Sequence, residues 1–143
     1  MIVRKAKSDD LNRIVSVLKQ LSPSSEEDDF EKLKQIFDKI NNDEFHYLCV
    51  VEEDGEIVGS GTLLMQKNIG RAGRPYGHIE NIVVDMNHRK KGIGKEIVIH
   101  LIEKAKENNC YKVILDCKKE NMPFYEKCGM KDTGEVCMRI NFD

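Results

Sequence analysis

The stretch from His78 to Cys117 constrains the fold more than any other part of the chain. It reads as an apolar run, "HIENIVVD", followed by a basic turn with two glycines, "NHRKKGIGK". Ile93, Ile97, Leu101, Ile102 and Ala105 then recur at helical spacing, and a second apolar run, "YKVILDC", closes the unit. Two strands joined through a helix make a crossover, and a strand that is apolar almost throughout belongs in a covered sheet interior.

The rest of the chain supplies antiparallel material around that unit. "MIVRKA" reads as a first strand, with Ser8 as the expected N-cap and Asp9 and Asp10 in the first turn of a helix. Leu11, Ile14, Val15, Leu18 and Leu21 form one apolar face. After "SPSSEEDD", Phe30, Leu33, Phe37 and Ile40 mark a second amphipathic helix. "HYLCVVEEDGEIVGSGTLLMQ" is two strand-like runs around Asp54-Gly55, a dipeptide suited to a two-residue hairpin turn. "KNIGRAGRPYG" is a loop. "NMPFYEKCGM" reads as a short helix with Pro123 in its first turn and Gly129 at its end, and "EVCMRINF" alternates as a last strand. The order β-α-α-β-β-β-α-β-α-β describes an α+β fold with a mixed sheet, and no linker splits residues 1–143 into more than one domain.

Charged residues make up 34% of the chain, yet the net charge is only −2. That balance argues against a protein that coats nucleic acid. No apolar run approaches the roughly 18 residues of a membrane span, and the N-terminus shows no export signal, so a cytoplasmic location is expected. The five cysteines are odd in number and include no C-x-x-C pair, which points to buried free thiols in a reducing compartment. His78 and His88 are not at metal-ligand spacing with acidic partners, and no metal is expected.

The basic turn fails the common nucleotide motifs. A P-loop needs glycine at 89 and serine or threonine at 96, where this chain has Arg89 and Glu96. A dinucleotide fingerprint needs a third glycine at 97, where Ile97 stands. What remains is strand, Arg89-x-x-Gly92-x-Gly94, helix. Glycines let a backbone approach a ligand closely, and the free amides and dipole of a helix N-terminus suit a pyrophosphate, with Arg89, Lys90 and Lys91 adding charge. The alternative is a solvated turn.

Arg89-x-x-Gly92-x-Gly94 after "IVVD" resembles the acetyl-CoA loop of the GCN5-related N-acetyltransferases, the GNAT family. "GHIENIVVD", "RKKGIGK", "CYKVILDC" and "NMPFYEKCGM" resemble, in order and spacing, the branch that acetylates glucosamine 6-phosphate. The resemblance implies the GNAT fold: a mostly antiparallel mixed sheet flanked by helices, with a splayed parallel strand pair that binds acetyl-CoA. It implies that Ile82, Val83 and Val84 pair with the pantetheine arm, and that Lys90, Lys91, Gly92, Ile93, Gly94 and Lys95 hold the pyrophosphate beside Arg89. Glu80 is the implied base and Tyr125 the implied acid for the leaving thiolate. The main-chain carbonyl of Asp116 is implied to align the amine. Asn121 either caps its helix or touches the cofactor. Arg71, Arg74, Lys112 and Arg139 are the cations available to an acceptor phosphate. Asn81 stands where members of that branch commonly carry aspartate, which bears on the acceptor more than on the reaction. The resemblance also implies a homodimer in which "EVCMRINF" crosses between subunits. Competing readings are acetylation of another small amine or a peptide N-terminus, and a non-catalytic acyl-CoA-binding regulator.

Overall fold

The computed structural model describes residues 1–143. The chain runs β1 (Ile2–Lys5), a 3₁₀ turn at Ser8–Asp10, α1 (Leu11–Leu21), α2 (Phe30–Asn41), β2 (His46–Glu53), β3 (Glu56–Gln66), β4 (Tyr76–Val84), α3 (Ile93–Glu107), β5 (Val113–Ile114) and α4 (Met122–Glu126). The strands form one sheet in the order β1-β2-β3-β4-β5. Neighbours are antiparallel from β1 to β4, and β5 joins β4 in parallel. This is the α+β mixed sheet that the sequence implies. No helix is long and apolar enough to cross a membrane.

The period-2 alternation of β2 serves two cores at once. Cys49 and Val51 point to one face, where Ile93, Ile97, Val98, Leu101 and Ala105 of α3 cover them together with Leu63 and Ile79. Leu48 and Val50 point to the other face, against Ile14 of α1, Phe37 of α2 and Ile57. The β2–β3 turn falls at Asp54 (φ 51°) and Gly55 (φ 79°), the two left-handed residues that a two-residue hairpin of matching twist requires.

Four features differ from the sequence reading. Ser8 does not cap α1. The amide of Lys7 instead donates to Asp10 Oδ2 at 2.7 Å, and Arg4 clamps the same buried carboxylate at 2.8 and 3.1 Å. Asp10, read as a first-turn acid, is thus a tertiary ion-pair partner. The cysteines are all free, but only Cys49 and Cys128 are buried, while Cys117 and Cys137 are exposed. Burial pushes the Cys49 thiol up to about 12. The strand expected over "YKVILDC" pairs with β4 only at Val113 and Ile114. Finally, "EVCMRINF" forms no strand: Val136, Met138, Ile140 and Phe142 are each more than three-quarters exposed. Its alternation is real, but no strand of its own chain pairs with it.

Candidate active site

A β-bulge opens the site. Across β3 and β4, Thr62 pairs with Glu80 and Ser60 with Val83, so Gly61 alone faces both Asn81 and Ile82. Asn81 absorbs the extra residue at φ 54°, in the left-handed region where asparagine is among the best tolerated side chains. This gives a conformational reason for asparagine at the position. Gly61 is required opposite the bulge: a Cβ there would lie 2.5 Å from Ile97 Cγ2 and 2.8 Å from Ile82 Cδ1. Bulges bend the strand that carries them. Here β5 follows β4 only at Gly77 and His78, and the parallel pair is open beyond that point.

Strand alternation decides which backbone groups line the opening. The Asp85 amide donates to Val58 O of β3 at 2.8 Å, so Val83, two residues back, also faces β3. Ile82 and Val84 face the open side. Of the three residues implied to pair with a pantetheine arm, Val83 commits its main chain to β3 and buries its side chain.

The stretch after β4 presents a run of unpaired amides shaped like a cradle for an anion. None of the amides from Arg89 to Lys95 donates a hydrogen bond within the chain, and the first helical amide to do so is Glu96, to Gly92 O at 3.1 Å. No side chain caps α3. Lys90 (φ 66°) and Gly92 (φ 78°) take left-handed conformations that turn successive amides to a common side. Arg89 Nε is tied to Val84 O at 3.2 Å, which leaves its terminal nitrogens free. Arg89, Lys90, Lys91 and Lys95 are exposed. Ile93 contributes only its amide, since its side chain is in the core.

The far wall is α4. A Cβ on Gly94 would sit 3.2 Å from Phe124 Cζ, so the first turn of α3 packs directly on that ring. Phe124 in turn meets the Tyr125 ring edge-on, with centroids 4.9 Å apart. Tyr125 is part of the apolar cluster under α3. Burial first, then the neighbouring Cys117, Cys128 and Asp116, push its hydroxyl above the usual tyrosine range, so it stays protonated at neutral pH. Asn121 makes no side-chain capping bond, against the capping alternative, and its exposed amide is open to a ligand. Asp116 lies past the end of β5, and its main-chain carbonyl accepts no hydrogen bond.

The acceptor candidates separate into groups. Glu80 precedes the bulge and Asn81 lies in it, and both are exposed. Arg71 lies over the Tyr111 ring at 5.0 Å, and Lys112 over Tyr76 at 5.0 Å and Tyr111 at 5.4 Å. Arg74 is instead engaged with the carbonyls of Asn109 and Cys110 after α3, at 3.2 and 3.3 Å. Arg139 lies in the exposed C-terminal segment. Tyr76 and Tyr111, which gather the cations, were not singled out by the sequence reading. The signal available was their adjacency to a glycine and a lysine at the paired ends of two strands.

Comparison with known proteins identifies the family. The model of the Acetyltransferase (GNAT) family matches residues 11–130. The glucosamine 6-phosphate N-acetyltransferase of Arabidopsis thaliana is 39% identical over 128 residues, 87% of this chain and 85% of that protein. That of Candida albicans is 37% identical, covering 92% and 89%. The crystal structure of the Arabidopsis thaliana enzyme superposes with a TM-score of 0.91 over 99% of this chain and 98% of that one, at 37% identity. With a family match across most of its length and relatives this similar end to end, the chain belongs to the GNAT acetyltransferases.

Proposed function

We propose that this acetyltransferase moves the acetyl group of acetyl-CoA directly to the amine of glucosamine 6-phosphate. The observation that carries the donor side is the run of unpaired amides from Arg89 to Lys95 at the mouth of a bulge-opened parallel strand pair. The pantetheine arm adds to β4 as a strand would, on the outward groups of Ile82 and Val84. The pyrophosphate rests on the amides of Lys90 to Lys95 beside the Arg89 guanidinium.

In the reaction the amine nitrogen attacks the thioester carbonyl, the C–S bond breaks, and the sulfur leaves as a thiolate. Glu80 takes the amine proton through a water, and the Asp116 carbonyl aligns the amine. A main-chain N–H on the open side of β4 receives the developing oxyanion. Tyr125, whose half-buried hydroxyl borders the site, gives its proton to the thiolate. The similarity to named sugar-phosphate acetyltransferases supports the acceptor, and Arg71 and Lys112, gathered on Tyr111, are the favoured seat for its phosphate. The test is release of free thiol from acetyl-CoA with glucosamine 6-phosphate, with the acetylated sugar identified by mass. Turnover of peptides but not of the sugar phosphate would sink the acceptor assignment.

Arg89→Ala tests the donor site. Removing one charge-assisted pyrophosphate contact should cost roughly 1.5–3 kcal/mol and raise the acetyl-CoA KM accordingly, with the fold intact by circular dichroism. An unchanged KM would remove Arg89 from the donor site.

We further infer a homodimer. Four alternating apolar side chains stand in solvent from Val136 to Phe142, which suits a strand that pairs with a second subunit. Light scattering should give a dimer mass, and Val136→Asp with Ile140→Asp should shift it to monomer. A wild-type monomer at micromolar concentration would refute this. The exposed free thiols of Cys117 and Cys137 suit a reducing compartment and hence the cytoplasm. Cell fractionation that finds the protein in a secreted or vesicular pool would overturn that placement.

A further inference from the structure

A polar network outside the donor site holds its entrance. Asp85, the residue between β4 and the turn that leads into the anion cradle, is 3% exposed. Its side chain accepts from the Asn87 amide at 2.9 Å and from Arg13 Nη2 of α1, 72 residues away. Arg13 Nε donates to Ile57 O at 2.9 Å, and its Nη2 also reaches Glu56 Oε1 at 3.0 Å. One guanidinium therefore ties α1 to the β2–β3 hairpin and to the start of the cofactor turn. A second tie from the same helix runs from the Met86 amide to Gln20 Oε1 at 2.9 Å. His88, at the other end of the turn, buries an unpartnered Nδ1 3.8 Å from Asp85 Oδ1, just outside hydrogen-bond range.

The cradle needs this support because its conformation is not self-sustaining. Lys90 pays the strain of a left-handed non-glycine backbone, and the amides that follow it have no partners of their own. Preorganised donors bind an anion tightly only if something else fixes them first. The ionised Asp85 carboxylate is suited to that task. The Asn87 amide is the largest influence that keeps it below the usual range, with Arg13 adding to it against the opposing effect of burial.

We propose that Arg13 is a positioning residue for the pyrophosphate-binding loop, acting through Asp85 rather than by touching acetyl-CoA. The inference rests on the reading of residues 89–95 as the donor site. It assigns α1 a role in donor affinity that its place on the opposite face of the sheet from α3 does not suggest.

The test compares wild type, Arg13→Ala, Arg13→Lys, Asp85→Ala and the double alanine variant. The readouts are the dissociation constant for CoA by titration calorimetry, kcat at saturating acetyl-CoA, and the thermal midpoint. Arg13 is a third exposed at its side chain, so its truncation leaves no sealed cavity. Arg13→Ala should weaken CoA about tenfold, the size of one lost oriented contact, while kcat stays within about twofold. Arg13→Lys should recover only part of the affinity, because an ammonium cannot make the guanidinium's forked contacts. The double variant should bind CoA no more weakly than Asp85→Ala alone, since the two residues act in series. Wild-type affinity in Arg13→Ala overturns the proposal. So do additive losses in the double variant, or a fall in kcat in proportion to the loss of affinity. If Asp85→Ala does not fold, the Arg13 pair still decides through the split between affinity and kcat. Failure of wild type to bind CoA at all would instead refute the donor-site reading itself.

Discussion

Tyr125→Phe is expected to lower kcat by about 10²-fold or more while leaving acetyl-CoA binding nearly unchanged. The substitution removes one oxygen and keeps the ring that packs under α3 and against Phe124, so the fold should survive. The hydroxyl donates no hydrogen bond within the chain, so no internal partner is orphaned by its loss. In the proposed mechanism, what disappears is the proton donor for the departing thiolate, an interaction formed only as the C–S bond breaks. That is why the loss should fall on kcat and not on KM. Steady-state kinetics with varied acetyl-CoA separates the two. A variant with wild-type kcat would show that Tyr125 is a packing residue alone.

The second large effect concerns the acceptor. Glucosamine 6-phosphate should be preferred over unphosphorylated glucosamine by at least about 10²-fold in kcat/KM, the scale of one well-paired phosphate. Arg71 and Lys112 share the Tyr111 ring, which places two exposed cations close together. An arriving dianion thus meets two charges gathered at one ring. The same assay with Arg71→Ala should erase most of the preference, and Arg74→Ala, whose guanidinium is engaged with carbonyls, should leave it standing. Equal turnover of the two sugars by wild type would mean that the phosphate is not recognised.

What could be read from the residues was whatever depends on near neighbours. The Asp54-Gly55 turn was legible because a two-residue hairpin needs two left-handed residues, and that dipeptide supplies them. The helical face of α3 was legible because its periodicity runs unbroken from Ile93 to Ala105. The run of unpaired amides, too, was readable from Arg89-x-x-Gly92-x-Gly94, since the start of a helix orphans them. The bulge at Asn81 was not legible, because it depends on the packing of Gly61 against Ile97 and Ile82. Nor was the short reach of β5, since an apolar strand looks the same whether its neighbour follows it or bends away. Ser8 was misjudged as a cap because the competing acceptor, Asp10, is fixed by Arg4 from the preceding strand. The commitment of Arg74 to two carbonyls likewise depends on how the end of α3 packs beside its loop. Local chemistry names candidates, and only the packed chain shows which of them are already engaged.

The contact between Gly94 and Phe124 has a consequence for altering this enzyme. The ring that rests on the donor loop belongs to the residue next to Tyr125, so loop and hydroxyl share a wall without a spacer between them. A Cβ at 94 would lie 3.2 Å from Phe124 Cζ, so the ring must shift by a few tenths of an ångström, and its neighbour there is Tyr125. In the proposed mechanism, donor affinity and proton delivery are therefore coupled through this ring. A library varied at position 94 in search of other acyl donors would trade turnover for tolerance at every step, unless position 124 were shrunk in the same clones.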